Sequence, residues 1–215
     1  MCMRKYNYNP EVFKEINTEN EAYWLGFLLA DGHNYKNKSL RIDIKDENHL
    51  ERLSCLIYPN GDKPISTRDL GYGTVYYFHC GIVDIVENLS SHGVAPNKSK
   101  ITTLPNIPKD MYRHFIRGLF DGDGSLCYVM DKNYRRYNFS IVGSLELMNG
   151  VHDVVFHQTG INLGVGKMKM IHRVYKKGNQ QILSLLIWIY QNSSVYLSRK
   201  YEKYQEMLNY YELKN

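Results

Sequence analysis

The sequence predicts an α+β protein made of two pseudo-twofold-related αββαββα half-domains. Three observations carry that expectation. Two segments repeat each other: AYWLGFLLADGH, Ala22 to His33, and RHFIRGLFDGDGS, Arg113 to Ser125. Laid together, Gly26 matches Gly118, Asp31 matches Asp123 and Gly32 matches Gly124. Each copy is followed by strand-like and helical stretches in the same order. Between them cluster Pro96, Pro105 and Pro108, half of the 6 prolines, as a linker would. Two copies are too few for a solenoid.

Residues 1–20 read as a short N-terminal arm. The first repeated helix takes Thr18 or Asn20 as its N-cap. Ser39–Lys45 alternates strictly, with Leu40, Ile42 and Ile44 on one side and Ser39, Arg41, Asp43 and Lys45 on the other, which is the pattern of a half-buried strand. Asp46–Tyr58 has helical spacing through Leu50, Leu53, Leu56 and Ile57. Lys63–Leu70 and Thr74–Cys80 read as strands about a turn at Gly71–Gly73. Ile82–Ser91 reads as a short amphipathic helix. In the second half the repeated helix runs to Asp121. Strands follow near Ser125–Met130 and Tyr137–Val142, then a helix over Leu145–Thr159. Further strands are expected near Val165–Val174 and Gln181–Ile187, and a helix from Val195 to Leu213 carries a Tyr/Leu/Met stripe. The resulting organisation is an arm (1–20), a first half-domain (21–100), a linker (101–109) and a second half-domain (110–215).

At 215 residues, 43% hydrophobic and 23% charged, the chain has the composition of a globular protein with ample core. No apolar run is long enough for a membrane-spanning helix, and the N-terminal segment lacks the apolar core of a secretory signal. Cys2, Cys55, Cys80 and Cys127 form no C-x-x-C pair, which argues against a zinc site or a disulfide framework. The net charge of +5 is uneven. Residues 1–104 hold 12 Lys/Arg against 13 Asp/Glu, and residues 105–215 hold 15 against 9. A basic half points to a polyanionic partner.

The repeated segment carries both packing and chemistry. Tyr23, Gly26, Phe27 and Ala30 fall on one helix face, as do Phe115, Gly118, Leu119 and Gly122. Small residues four apart, Gly26/Ala30 and Gly118/Gly122, let two helix backbones approach closely. Glycine inside a helix costs about 0.5–1 kcal/mol relative to alanine, so its recurrence predicts that these two helices pack on each other. Asp31 and Asp123 then meet at helix C-termini, where the macrodipole disfavours an anion. Two carboxylates side by side call for a cation, and oxygen ligands beside glycine-rich backbone suit Mg²⁺. An Asp-Gly pair can also simply end a helix. An EF-hand reading of Asp121, Asp123 and Ser125 fails, because Leu126 and Lys132 occupy the positions that need Gly and Glu.

WLGFLLADG (Trp24–Gly32) and IRGLFDGDG (Ile116–Gly124) resemble the two signature motifs of the LAGLIDADG homing endonucleases. The first departs from the family pattern at Leu29, where an acidic residue is usual. The resemblance covers roughly residues 20–210 through the αββαββα order. It implies paired motif helices beneath two saddle-shaped antiparallel sheets that straddle double-stranded DNA. It also implies a monomer with no obligate protein partner, since both motifs lie in one chain. By the same resemblance Asp31 and Asp123 hold the metal ions, with the carbonyls of Ala30 and Gly122 as further contacts. Lys98 and Lys200 assist catalysis near the two motif ends, with Lys100 and Arg199 as alternatives. The implied activity is site-specific hydrolysis of both DNA strands at a long asymmetric site, leaving 3′ overhangs. Mg²⁺ is the expected cofactor, with Mn²⁺ substituting and Ca²⁺ binding without supporting cleavage.

Strand residues facing away from the helices would read the DNA, because a β-ribbon fits the major groove. Period-two reading nominates Ser39, Arg41, Asp43, Lys45, Ser66 and Arg68 in the first half. In the second half it nominates Arg136, Asn138 and Ser140. The acid-free segment with Lys167, Lys169, Arg173, Lys176 and Lys177 forms the strongest basic patch. Tyr72 is a candidate sugar-phosphate contact. The alternatives are an RNA maturase of the same type that aids intron splicing, and a non-catalytic DNA-binding protein on the same scaffold. The expected location is cytoplasmic, nucleoid-associated or in an organellar matrix, with no membrane partner and no secretion.

Overall fold

The computed structural model describes residues 6–61, 63–71, 73–98 and 102–212. The first half runs α1 (Glu19–Asp31), β1 (His33–Tyr35), β2 (Ser39–Ile44), α2 (Glu47–Ile57), β3 (Ser66–Asp69), β4 (Thr74–Cys80) and α3 (Val83–Ser91). After a 3₁₀ turn at Lys109–Met111, the second half runs α4 (Tyr112–Asp123), β5 (Gly124–Asp131), β6 (Tyr134–Gly143) and α5 (Leu145–Thr159). It continues through β7 (Gly164–Met168), β8 (Ile171–Lys177) and α6 (Asn179–Tyr190) to a final α7 (Ser198–Glu212).

The strands form two four-stranded antiparallel sheets, ordered β1-β2-β4-β3 and β5-β6-β8-β7. The orders are equivalent under exchange of the halves, as the repeat predicts. Each sheet buries one face. Leu40, Ile42, Ile44 and Phe78 pack toward Leu50, Leu53 and Ile57 of α2, and all belong to one continuous core. Leu126, Phe139, Ile141 and Val174 take the corresponding places above Met148, Val151 and Val155 of α5.

Thr18 caps α1 in a capping box: its side chain accepts from Glu21 N, and the Glu21 side chain reaches back to the Thr18 backbone. Such a box satisfies two amide groups that a helix start leaves open. α1 and α4 then cross at their glycines. A Cβ on Gly26 would collide with the Phe115 carbonyl, and one on Gly118 with the Tyr23 carbonyl. The Cβ on Gly118 would also stand 2.8 Å from Phe27 N. The contact is reciprocal, so backbone meets backbone where any side chain would hold the helices apart.

Three expectations are corrected. Gln181–Ile187 is helical, inside α6. Its apolar residues Ile182, Leu185, Leu186 and Ile189 recur with the helical period and are buried, but the near-continuous apolar run hides that period from a strand reading. The stretch Val165–Val174 is two strands, β7 and β8, folded about Lys169, which adopts φ 46°. The second motif helix reaches Asp123, two residues beyond the expected end. β1, only three residues long, gives no alternation from which to foresee it.

Candidate active site

The crossing brings the C-terminal ends of α1 and α4 together. A Cβ on Gly122 would lie 2.5 Å from Ala30 Cβ and 3.3 Å from Asp31 Oδ2. The Asp31 carboxylate therefore lies against the last turn of α4, whose final residue is Asp123. Both aspartates keep solvent-accessible surface, yet both feel the crowding around them. Burial and the neighbouring Asp31 push Asp123 up to about 6. Burial also raises Asp31, against the pull of Lys98, Arg199 and Lys200. A carboxylate pair raised by desolvation and like charge, at two helix ends with negative dipoles, is stabilised by a bound cation.

One lysine closes each helix end. Lys98 Nζ donates to the carbonyls of Ala30 (3.4 Å) and Gly32. Lys200 Nζ donates to those of Phe120 (3.4 Å) and Gly124. Gly32 and Gly124 are matched positions of the repeat, so the two lysines are pseudo-equivalent. Burial lowers both, Lys200 to about 8. Arg199 turns elsewhere, to Asp46 at 3.3 Å. Lys100 and Tyr72 lie outside the described residues. Among the described residues no cluster of three or more His, Cys, Asp or Glu side chains forms a metal site. The central pair offers two carboxylates and nearby helix-end carbonyls, with open solvent to complete a coordination sphere. That donor set, all oxygen and incomplete by itself, fits a hydrated divalent cation that shares ligands with a phosphate.

Beneath this pair lies a buried polar network that the sequence pattern did not reveal. Asp121, fully buried, accepts from Tyr23 Oη (2.8 Å), Tyr190 Oη (2.6 Å) and Leu197 N (2.7 Å). Burial raises it to about 6, against these hydrogen bonds. His49 Nε2 lies 3.0 Å from the same Tyr23 oxygen. Tyr23 has one proton and gives it to Asp121, so His49 Nε2–H donates to Tyr23. Burial depresses His49 to about 3, which keeps it neutral. Arg117, also fully buried, donates to the carbonyls of Val195 (2.9 Å) and Ile189 (2.7 Å) and pairs with Glu19 at 2.6 Å. Arg117 and Asp121 stand four apart on either side of Gly118, and that spacing was the available signal.

The outward sheet faces hold most of the nominated strand residues. In β2 the alternation is as expected: Leu40, Ile42 and Ile44 are buried, and Ser39, Arg41 and Asp43 face out. Register places Asp43 beside Tyr77 and Tyr77 beside Ser66. Arg41 holds Asp43 through two hydrogen bonds (2.9 and 2.8 Å), and Arg68 approaches it at 3.7 Å. Lys45 lies just past β2, exposed. In the second sheet Ser140 pairs with Tyr175, and Asn138 with Lys177. Val142 pairs with Arg173, and Arg136 with Val129. One outward face therefore carries Arg136, Asn138, Ser140, Arg173 and Lys177.

The basic segment does not act as one patch. Lys176 pairs with the buried Phe139 and donates to the Asn162 carbonyl at 2.7 Å. Lys167 pairs with His172, on that same inward-facing alternation. Lys169 sits in the β7–β8 turn. The strand pleat splits the run, because the turn resets its phase.

No protein-family model and no curated protein matches this sequence. Solved structures do match. Full-length DUF199/WhiA from Thermatoga maritima superposes with TM-score 0.56 at 19% identity, over 93% of this chain and 65% of that one. This chain thus spans about two thirds of that protein's length. The meganuclease I-SmaMI bound to uncleaveable DNA superposes with TM-score 0.60 at 12% identity, over 91% and 89% of the two chains. The meganuclease I-AabMI bound to uncleaved DNA does so with TM-score 0.59 at 11% identity, over 89% and 90%. The chain has the two-half-domain LAGLIDADG fold.

Proposed function

We propose that this LAGLIDADG-fold chain acts as a monomer that binds a long asymmetric DNA site and hydrolyses one phosphodiester in each strand. One observation carries the reading: two carboxylates, Asp31 and Asp123, come together where the crossing helices end, and each helix end is closed by its own lysine. Helix termination alone needs neither the pairing nor the lysines. The outward basic faces support a DNA partner, and the fold's likeness to two meganucleases in complex with DNA supports it further.

Asp31 and Asp123 would hold the divalent cations, with the Ala30 and Gly122 carbonyls beside them. When bound, such cations supply Lewis-acid activation of water and neutralise the leaving 3′ oxygen. The chain's own groups do the rest. Burial raises both aspartates, and Asp31 adds to the rise of Asp123, so a bound cation would stabilise their charged forms. Lys98 and Lys200, with lowered proton affinity, can orient an attacking water or stabilise charge on the phosphorane. The outward Arg, Lys, Asn and Ser side chains hold the duplex across the two sheets.

The test is cleavage of plasmid carrying the native host locus, with and without Mg²⁺. Wild type should linearise it only with Mg²⁺, and Asp31→Asn and Asp123→Asn should not. No cutting by wild type, or equal cutting by the variants, overturns the proposal. A DNA-binding protein without cleavage is the second reading, favoured by the lack of a third metal-binding side chain among the described residues. It requires that wild type bind the locus and leave it intact.

A further inference from the structure

The second sheet is longer than the first, and the extra length lies at one end. β1 and β2 hold 3 and 6 residues, whereas β5 and β6 hold 8 and 10. β8 ends opposite Asn138, at Lys177. β6 begins four residues earlier and pairs there only with β5, as far as Asp131 opposite Tyr134. Residues Tyr134 to Tyr137 therefore overhang the rest of the sheet. At a strand rise of about 3.2–3.4 Å per residue the four-residue overhang extends about 13 Å.

An overhanging strand leaves backbone groups without a ladder partner, which costs free energy unless they are satisfied. Here two side chains replace the missing strand. The Asn179 amide accepts from Tyr137 N at 2.9 Å and donates to the Arg135 carbonyl at 2.6 Å. It satisfies one group from each of two residues, which a continued antiparallel β8 would have paired through two separate residues. Tyr210 Oη, near the end of α7, accepts from Arg135 N at 3.0 Å. Tyr134 Oη and Tyr211 Oη meet at 2.9 Å, and the Arg135 guanidinium lies 5.0 Å from the Tyr210 ring centroid. α6 and α7 thus brace the hairpin from below. The brace leaves Arg136 exposed on the outward face, ion-paired with Asp131.

From this geometry we infer that Asn179 and Tyr210 are positioning residues that extend DNA reading at the outer end of one half-site only. The inference rests on the DNA-binding reading above. Duplex DNA rises about 3.4 Å per base pair along each strand, so an overhang of about 13 Å spans about four base pairs. The first half has no equivalent reach, because β1 ends at Tyr35, three residues beyond the motif glycine Gly32. Arg136 is the side chain placed to read base edges there, and Asn179 and Tyr210 fix its strand without touching DNA.

Hydroxyl-radical footprinting on the native host locus without divalent metal tests this. Wild type should protect a tract that is asymmetric about its centre, longer by about four base pairs on the side read by the second half. Asn179→Ala and Tyr210→Phe should each lose protection at that outer end and keep the centre and the opposite end. Arg136→Ala, which removes only an exposed side chain and its exposed ion pair with Asp131, should lose the same base pairs. A symmetric wild-type footprint overturns the inference. So does even weakening across the whole tract in the variants, or full retention of the outer end. Absence of any wild-type footprint overturns the DNA-binding reading itself, and the inference with it.

Discussion

The two motif helices end alike in outline and unlike beneath the surface. Both finish in Asp-Gly, and both have a lysine on the terminal carbonyls. Two residues earlier they diverge. The first carries Leu29, whose Cδ1 lies 3.6 Å from where a Cβ on Gly93 would stand. The second carries Asp121, which gathers two tyrosine hydroxyls and the Leu197 amide. Each device anchors the segment that delivers the lysine. In the first half Leu29 packs on that segment and Asn34 donates to the Val94 carbonyl at 2.7 Å. In the second, Asp121 and Arg117 hold Leu197 and Val195 by charge-assisted bonds. The same surface geometry is reached once by apolar contact and once by a buried polar network. The polar version makes its geometry more directional and its stability more dependent on complete pairing.

The largest expected effect comes at the shared ends. Asp31→Asn or Asp123→Asn should lower cleavage by at least about a hundredfold, the scale of losing a charge-stabilising group. Stability should move the other way. Both carboxylates are raised by burial, so their charged forms are held at a cost near neutral pH, and a neutral amide removes it. Thermal unfolding without metal should show Asp123→Asn equal to or above wild type. A lower midpoint would mean the carboxylates serve the fold, and the two ends would no longer be comparable as a metal pair.

Next comes the crossing. Gly26→Ala and Gly118→Ala each aim a methyl group at a backbone carbonyl that cannot swing aside. Each should cost about 3 kcal/mol, the upper range for overpacking, in urea unfolding. Near-equal losses would establish the crossing as symmetric. A marked inequality would place the asymmetry of the halves in the helices themselves.

Asp121→Leu imposes on the second half the residue type of the first. It strands Tyr23 Oη, Tyr190 Oη and Leu197 N, so destabilisation of about 3–5 kcal/mol is expected. Its pH signature is opposite to that of its neighbour. Asp121 is raised to about 6, so it binds more protons folded than unfolded, and its contribution to stability falls as pH rises from about 4 to 6. His49, depressed to about 3, binds fewer protons folded, so its contribution is lost as pH falls below about 6.5. Between pH 4 and 6 the two oppose each other. Asp121→Asn should steepen the acid loss of stability, and His49→Gln should flatten it. Equilibrium unfolding at a series of pH values reads both, and unchanged slopes would uncouple His49 from the network.

These contrasts show why the outline was legible and the depth was not. The glycine spacing and the Asp-Gly ends are local in sequence, so the crossing and the carboxylate pair follow from neighbouring residues alone. Leu145–Thr159 matched to the residue, since Ser144 before it and Gly160 after it are strong caps. The Asp121 network could not be read, because its donors come from residues 23, 190 and 197, which only folding assembles. The faces of the basic segment were lost for a related reason. A strand's alternation is visible only when its ends are known, and the turn at Lys169 lay inside the run.

The smallest effect separates Lys200 from its neighbour Arg199. Arg199 joins the halves through Asp46, but the pair is half exposed at 53% and 29% side-chain accessibility. Such pairs contribute about 0.2–1 kcal/mol, so a double-mutant cycle with Arg199→Ala and Asp46→Ala should give coupling in that range. Cleavage should survive Arg199→Ala, since its guanidinium is engaged across the interface and leaves the helix-end carbonyls to Lys200. Lys200→Met keeps the apolar stem on Phe120 and removes the ammonium, and it should slow cleavage of one strand more than the other. Lys98→Met should slow the opposite strand. If Arg199→Ala slows cutting as much as Lys200→Met, the lysines are not the matched pair that the repeat implies. The second half would then have its own arrangement at the surface as well as beneath it.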